Sequence, residues 1–190
     1  MPVVQLSLEG QEADDLVAWL CCNDQYKDWS KIIVSSDKDF IQLCDDKTVL
    51  YRPVAKEILN KKRVIEKFGI HPNNFALARS LVGDASDNIK GVKGVGLKTV
   101  AKRLPFLIEE KSYSVKDVLS FSKDNEKTAK VFQKILEEES VIQENYDLMQ
   151  LYLSNIPDQG RQKLLWALKN TGKEFSKYQI RVMMRQDGIM

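Results

Sequence analysis

The chain has 190 residues, 43% of them hydrophobic and 29% charged, with a formal net charge of only +2. That length fits one domain or a small domain with an appended module, and the ordinary apolar fraction argues against a globally disordered chain. Cys21, Cys22 and Cys44 form no C-x-x-C pair and no ligand spacing with the single histidine, which argues against a disulfide framework and a zinc site. No stretch approaches transmembrane length and the first residues lack a basic, apolar leader, so a reduced cytoplasmic setting without membrane contact is expected.

Val3–Leu8 reads as a short strand, and Gly10 turns the chain into a helix starting near Gln11 or Glu12. Ala13, Leu16, Val17 and Leu20 recur at i, i+3, i+4 and i+7, the pattern of a helix packing one face on a sheet. Glu12, Asp14 and Asp15 fall in its first turn, where acidity complementing the helix dipole would account for them without any site. After a polar turn, Lys31–Ser35 reads as a buried parallel strand running into Ser36-Asp37-Lys38-Asp39-Phe40 and a short helix through Leu43. Functional groups of open α/β sheets gather at the carboxyl ends of strands, where Asp37 and Asp39 fall. A loop with a helix N-cap explains one of these aspartates and leaves the other unexplained.

Thr48–Arg52, closed by Pro53, is a further strand, so the first part follows α/β logic. From Lys56 onward the pattern is helical: Lys56–Phe68, Asn73–Val82, Leu97–Phe106, Val115–Ser120, Glu126–Asn145 and Gly160–Asn170. The expected division is a partial α/β core over residues 1–70 and a helical region over 71–190. His71-Pro72 marks a boundary, with His71 a turn or cap residue rather than a ligand. Glu137-Glu138-Glu139 reads as a solvated helix face, and Trp19, Trp29 and Trp166 as core or half-buried positions. The tail Tyr178–Met190 is either a last packed segment or an exposed docking peptide.

The stretch Leu81–Thr99 organises the rest. Asp84 and Asp87 stand three residues apart, and Gly91-Val92-Lys93-Gly94-Val95-Gly96-Leu97-Lys98-Thr99 follows as a glycine-punctuated turn ending where a helix begins. Carboxylates collect hard cations, and open amides at a helix start collect phosphates. From Lys90 to Lys134 there are eleven Lys/Arg against five Asp/Glu, which places a basic pole beside acidic segments. Seven carboxylates, namely Glu12, Asp14, Asp15, Asp37, Asp39, Asp84 and Asp87, share an edge only if cations offset their repulsion. Oxygen-only ligation favours Mg²⁺ or Mn²⁺, and two such ions clamp a phosphodiester. A P-loop fits the glycine turn poorly because Leu97 separates the last glycine from Lys98. A helix-hairpin-helix gripping a nucleic-acid backbone fits better, and a plain glycine-rich connection between packed helices is the bland alternative.

At these residues the sequence resembles the 5′-nuclease family of flap endonucleases, phage 5′-exonucleases and the N-terminal domain of bacterial DNA polymerase I. Glu9-Gly10-Gln11-Glu12-Ala13-Asp14-Asp15 is similar to that family's E-G-x-E-A-D-D, and Ser36-Asp37-Lys38-Asp39-Phe40 with Gln42-Leu43 to its S/A-D-K-D-x-x-Q-L. Gly83-Asp84 through Ser86-Asp87-Asn88 to Gly96, Lys98 and Thr99 resembles its acidic pair and helix-three-turn-helix. The likeness covers roughly the first hundred residues and fades beyond Pro105.

The resemblance implies a partial Rossmann-like (PIN-like) sheet followed by a helix-three-turn-helix DNA-binding region. It implies a Mg²⁺-dependent (or Mn²⁺-dependent) two-metal phosphodiesterase, a 5′-3′ exonuclease or flap endonuclease removing 5′ flaps or RNA primers during replication in a bacterial or phage-infected cell. Glu12 and Asp14 would serve mainly one metal and Asp37, Asp39, Asp84 and Asp87 the other, with Asp15 near both. Gly91, Lys93, Gly94, Gly96, Lys98 and Thr99 would grip branched or 5′-ended duplex, RNA–DNA included, in some relatives with a K⁺ on the turn carbonyls. Family members carry a further hundred or so residues with more aspartates ahead of E-G-x-E-A-D-D. The chain is therefore expected to be one part of a split or truncated enzyme that needs an N-terminal nuclease half on another chain. A non-catalytic DNA-binding module is the alternative expectation.

Overall fold

Lys31–Val34 (β1) lies parallel to Thr48–Arg52 (β2), which pairs antiparallel with Glu57–Leu59 (β3), so Ile33, Leu50 and Leu59 align across one face of a mixed three-stranded sheet. This computed structural model describes residues 4–152, 156–169, 177–186 and 188. The chain divides into two units, Val17–Ser154 and a second made of Met1–Leu16 with Asn155–Met190.

In the larger unit, the face carrying Ile33, Leu50 and Leu59 is buried with Phe40, Ile41, Leu43 and Val64 in one hydrophobic core. Helices follow in order: Lys61–Phe68 (α2), Phe75–Val82 (α3), Leu97–Arg103 (α4), Val115–Asp124 (α5), Lys130–Glu137 (α6) and Glu139–Met149 (α7). Their limits follow from local chemistry. Asn60 caps α2 by accepting from the Arg63 amide at 2.9 Å, and Gly69 ends it at φ +66. Ser114 and Asp117 form a reciprocal capping box on α5. Between α3 and α4, Gly83–Asp84 (β4) and Ile89–Lys90 (β5) make a small antiparallel hairpin.

Buried polar side chains tie these elements together. Asn74 donates to the Leu107, Glu109 and Lys111 carbonyls and accepts from the Tyr113 amide. Gln42 donates to the Asp39 and Met149 carbonyls and accepts from the Leu151 amide, so the far end of α7 is fastened to the loop after β1. Asn145 on α7 donates to Ser80 on α3 and to Lys90 on β5, at 2.9 and 2.8 Å. His71 caps the turn before α3 with its ring, accepting from the Asn73 amide.

The smaller unit carries the start of Ala13–Cys22 (α1), which continues past Leu16 into the larger unit, and Asp158–Lys169 (α8) and Lys177–Gln186 (α9). Here Gly160 of α8 lies against Leu8: an added Cβ would meet Leu8 Cδ2 at 2.5 Å.

Several expectations are corrected. Residues 4–8 are irregular and join neither sheet, so the alternating apolar pattern there lacks a neighbouring strand to take its backbone bonds; Val3 lies outside the described residues. β1 is parallel but not buried on both faces, since Ile32 is 69% and Val34 64% exposed. Lys56–Phe68 is not one helix: Lys56 takes a left-handed conformation at φ 50, β3 follows, and α2 starts only after its Asn60 cap. The expected helix Glu126–Asn145 is broken, with Glu138 ending α6 and opening α7, while Glu137 and Glu139 are exposed as a solvated face requires. Trp29 and Trp166 are exposed, while Trp19 is half-buried. Of the tail, α9 covers Lys177–Gln186 with Tyr178 and Met183 exposed, while Asn170, Asp187, Ile189 and Met190 fall outside the described set.

Candidate functional site

All of α3 except Val82 is buried, and its seven buried residues include one cation, Arg79. The helix stops at Gly83, whose φ of +77 is accessible chiefly to glycine. Gly83 also sits so close to Gly91 that a Cβ would fall 2.3 Å from the Gly91 nitrogen, and a Cβ on Gly91 would fall 2.1 Å from the Val82 carbonyl. Main chain therefore packs on main chain where the hairpin leaves α3. The Val92 amide donates to the Leu81 carbonyl at 2.9 Å, continuing that contact. Within the hairpin, Asn88 adopts φ 58, a left-handed position that asparagine tolerates better than most residues.

The hairpin lifts Asp84 and Asp87 toward Asp39, and the three carboxylates offer oxygens that all lie within 4.8 Å of one another. Arg79 stands behind them. Its Nε donates to Asp39 Oδ1 at 3.1 Å, one Nη donates to Asp84 Oδ2, and the other reaches the Gly83 carbonyl at 3.5 Å. Asp84 Oδ1 accepts from both the amide and the hydroxyl of Ser86. These donors hold the Asp84 carboxyl down to about 2, the Ser86 hydroxyl foremost, with the Ser86 amide and Arg79 adding to it. Asp39 shifts the other way: burial raises it, Arg79 opposes, and Asp37 and Asp84 add to the rise. Three carboxylates of hard oxygen donors at this spacing fit a divalent cation of the Mg²⁺ or Mn²⁺ type.

Asp37 has a different part. It is exposed and its Oδ1 accepts from the Asp39 amide at 2.8 Å, an Asx-type turn just ahead of the 3-10 turn Asp39–Leu43, whose N-cap is Lys38. Neither aspartate is the N-cap, which is Lys38; Asp37 makes the turn that leads in, and Asp39 is the one that enters the cluster. Glu12 lies exposed just before α1, with Asp14 and Asp15 half-buried in its first turn; all three belong to the smaller unit.

On the far side of the Gly83–Gly91 contact is the glycine turn. Val92 and Val95 are buried and anchor it, Gly94 turns at φ +81, and Gly96 precedes α4 without a side-chain cap. Lys90, Lys93 and Lys98 are exposed, while Thr99 is half-buried with its amide donating to Gly96. Lys134 of α6 donates its Nζ to the Lys93 carbonyl at 3.0 Å.

Sequence reasoning missed Arg79, Asn145 and Lys134. A signal for Arg79 existed: an arginine inside the otherwise apolar run Phe75-Ala76-Leu77-Ala78, five residues before Asp84, needs a buried anionic partner. Nothing in the sequence points to Lys134, which meets the turn only through the fold.

Residues 1–69 match the family model described as the 5′-3′ exonuclease, N-terminal resolvase-like domain. The chain is 36% identical over 147 residues to a 5′-3′ exonuclease of Aquifex aeolicus, covering 77% of this chain and 47% of that protein. It is 42% identical over 94 residues to a 5′-3′ exonuclease of Buchnera aphidicola, covering 50% of this chain and 33% of that protein. The chain thus spans less than half the length of these curated relatives. Among solved structures, bacteriophage T5 5′-exonuclease with divalent metal ions (zinc) bound superposes with a TM-score of 0.67 at 19% identity, covering 87% of this chain and 62% of that one. The T5 D15 flap endonuclease in a pseudo-enzyme-product complex with DNA and metal ions gives 0.67 at 18% identity, covering 88% and 62%. No helix among the described residues is long and apolar enough to cross a membrane. The first 69 residues are therefore similar to the N-terminal resolvase-like domain of 5′-3′ exonucleases, on a chain whose fold is similar to that of the T5 5′-exonuclease.

Proposed function

We propose that the chain is the carboxylate-bearing and duplex-gripping portion of a Mg²⁺-dependent 5′-3′ exonuclease or flap endonuclease, acting on 5′ flaps or primer ends of DNA or RNA–DNA during replication. The observation that carries this reading is the convergence of Asp39, Asp84 and Asp87 on the hairpin that leads directly into the lysine-bearing glycine turn. Two divalent ions held by the chain's carboxylates would supply an activated water and a stabilised leaving oxygen. Asp37, Asp39, Asp84 and Asp87 serve one ion in this reading, and Glu12 and Asp14 mainly the other, with Asp15 a further candidate ligand. Lys93 and Lys98, with the turn at Gly91, Gly94, Gly96 and Thr99, hold backbone phosphates in a sequence-independent way. The K⁺ expected on the turn carbonyls has a tethered competitor in the Lys134 ammonium on Lys93.

A companion polypeptide that completes the nuclease belongs to the same proposal. It is supported by the edge of β1 that pairs with no strand among the described residues, and by the exposed Ile32, Val34 and Ile58 on one face of the sheet, since parallel pairs are ordinarily covered on both faces. The test is cleavage of a 5′-flap duplex in Mg²⁺ by this chain alone and with the part of the Aquifex aeolicus protein that it does not match. Metal-dependent cleavage is expected, and Asp84→Asn with Asp87→Asn should lower it by about a hundredfold or more while flap affinity stays within about threefold. A reconstituted pair that binds the flap in Mg²⁺ without cutting it would favour the DNA-binding module. Equal losses of affinity and rate would end the division of labour between the two halves of the hairpin.

A further inference from the structure

Arg79 is the feature that the proposed nuclease chemistry does not use. It is 6% exposed, and its guanidinium contacts two of the three clustered carboxylates at once. A carboxylate has about four lone-pair positions. On Asp84, three are taken: two by the Ser86 amide and hydroxyl, one by an Arg79 Nη. On Asp39, Arg79 Nε takes a position on Oδ1. A cation drawn to this cluster therefore meets a resident positive charge that already occupies the same carboxylates.

We infer that Arg79 is a built-in counter-ion that competes with the divalent cation for Asp39 and Asp84, and so sets the concentration at which the metal site fills. This rests on the reading of the cluster as a metal site. Two opposing effects decide the sign. Arg79 gathers the carboxylates, which favours binding, and it places a unit charge within a few ångströms of a divalent ion, which opposes it. Ser86 and the Gly83–Gly91 contact already position Asp84 without Arg79, and the Asp37 carboxylate holds the backbone amide of Asp39. The gathering effect is therefore largely redundant, whereas the buried Arg79 charge beside the half-buried Asp39 and Asp84 is screened by water less than a surface charge would be. Repulsion wins. Without a divalent ion, the same argument makes Arg79 the group that offsets the mutual repulsion of the carboxylates.

The experiment compares the unaltered chain with Arg79→Met and Arg79→Lys at pH 7.5 and fixed ionic strength, using Mn²⁺ alone as probe. Calorimetry should find Mn²⁺ bound about tenfold more tightly or better by Arg79→Met, and within about threefold of the unaltered affinity by Arg79→Lys, which keeps the charge. In EDTA the melting temperature of Arg79→Met should fall by about 5 °C or more, and saturating Mn²⁺ should recover over half of that deficit. A deficit equal in EDTA and Mn²⁺, or weaker Mn²⁺ binding by Arg79→Met, overturns the inference and leaves Arg79 a brace. Should Arg79→Met fail to fold, the Arg79 Nε–H resonance of the unaltered chain decides: saturable movement with Mg²⁺ supports competition, and an unmoved resonance while Asp87 reports binding overturns it. Absence of Mn²⁺ binding by every variant removes the metal reading itself together with this inference. Binding by Arg79→Met alone supports both.

Discussion

The two ends of α3 hold buried polar groups by opposite means. At the entrance, Asn74 and His71 are neutral: Asn74 meets four backbone groups of the segment 107–113, and His71 caps the turn that leads in. At the exit, Arg79, Asp39 and Asp84 are charged, and their partners are one another. A neutral network whose amide is matched to backbone groups has no charge to offer an ion. An ionic network with surplus negative charge does, because one of its cations can be exchanged for another. The difference separates scaffold from site within a single eight-residue helix.

The strongest way to break this contrast is to remove the geometry on which the exit depends. Gly91→Ala places a methyl 2.1 Å from the Val82 carbonyl and 2.5 Å from the Gly83 nitrogen, all of it main chain. Urea unfolding should register a loss of more than about 4 kcal/mol, or no folded protein. Gly96→Ala, with open space around it and φ −121, should cost under about 1 kcal/mol. Similar losses for the two would mean that the close approach is not what sets the exit of α3.

Smaller, and confined to the entrance, is Asn74→Ala. Three carbonyls and one amide lose their partner, for an expected loss of about 2–4 kcal/mol in urea. On the scaffold reading that loss is the same in EDTA and in Mn²⁺; metal-dependent recovery would merge the two ends into one network.

The mildest test uses pH. Burial lowers the pKa of His71 below its ordinary value, so the folded chain holds the ring neutral where the unfolded chain has begun to protonate it. Stability from this group is therefore complete above pH 6.5 and is lost as pH falls from there through the folded pKa. As the sole histidine, it can be followed by its ring resonance, and His71→Asn should flatten the stability slope below pH 6.5. A slope that persists would assign the dependence to the exit carboxylates.

The site was more legible in the sequence than the fold around it. Asp84 and Asp87 announce themselves because a loop acid pair before a glycine run has few structural uses, and Asp37 and Asp39 because one cap cannot need two aspartates. β3 was hidden, since Glu57-Ile58-Leu59 is three residues long and continues smoothly into a helical pattern. The break at Glu138 was hidden as well, because glutamates are good helix formers and the apolar spacing runs on through α6 and α7. Arg79 lay in plain view within an apolar run, yet its partners are 40 residues upstream and five downstream. The openness of β1 could not be read from Ile32 and Val34, whose apolar character predicts cover that the described residues do not supply.

The contact between Gly83 and Gly91 has a mechanical meaning as well. Side-chain contacts drift as sequences change, because one methylene more or less shifts the elements they separate. Here two stretches of main chain touch with nothing between them, so the distance from the carboxylate hairpin to the lysine turn is set by atoms that every polypeptide shares. The contact works as a gauge block. Substitutions throughout the surrounding core can alter how firmly the parts are held while leaving the interval between them unchanged, as long as neither glycine gains a side chain.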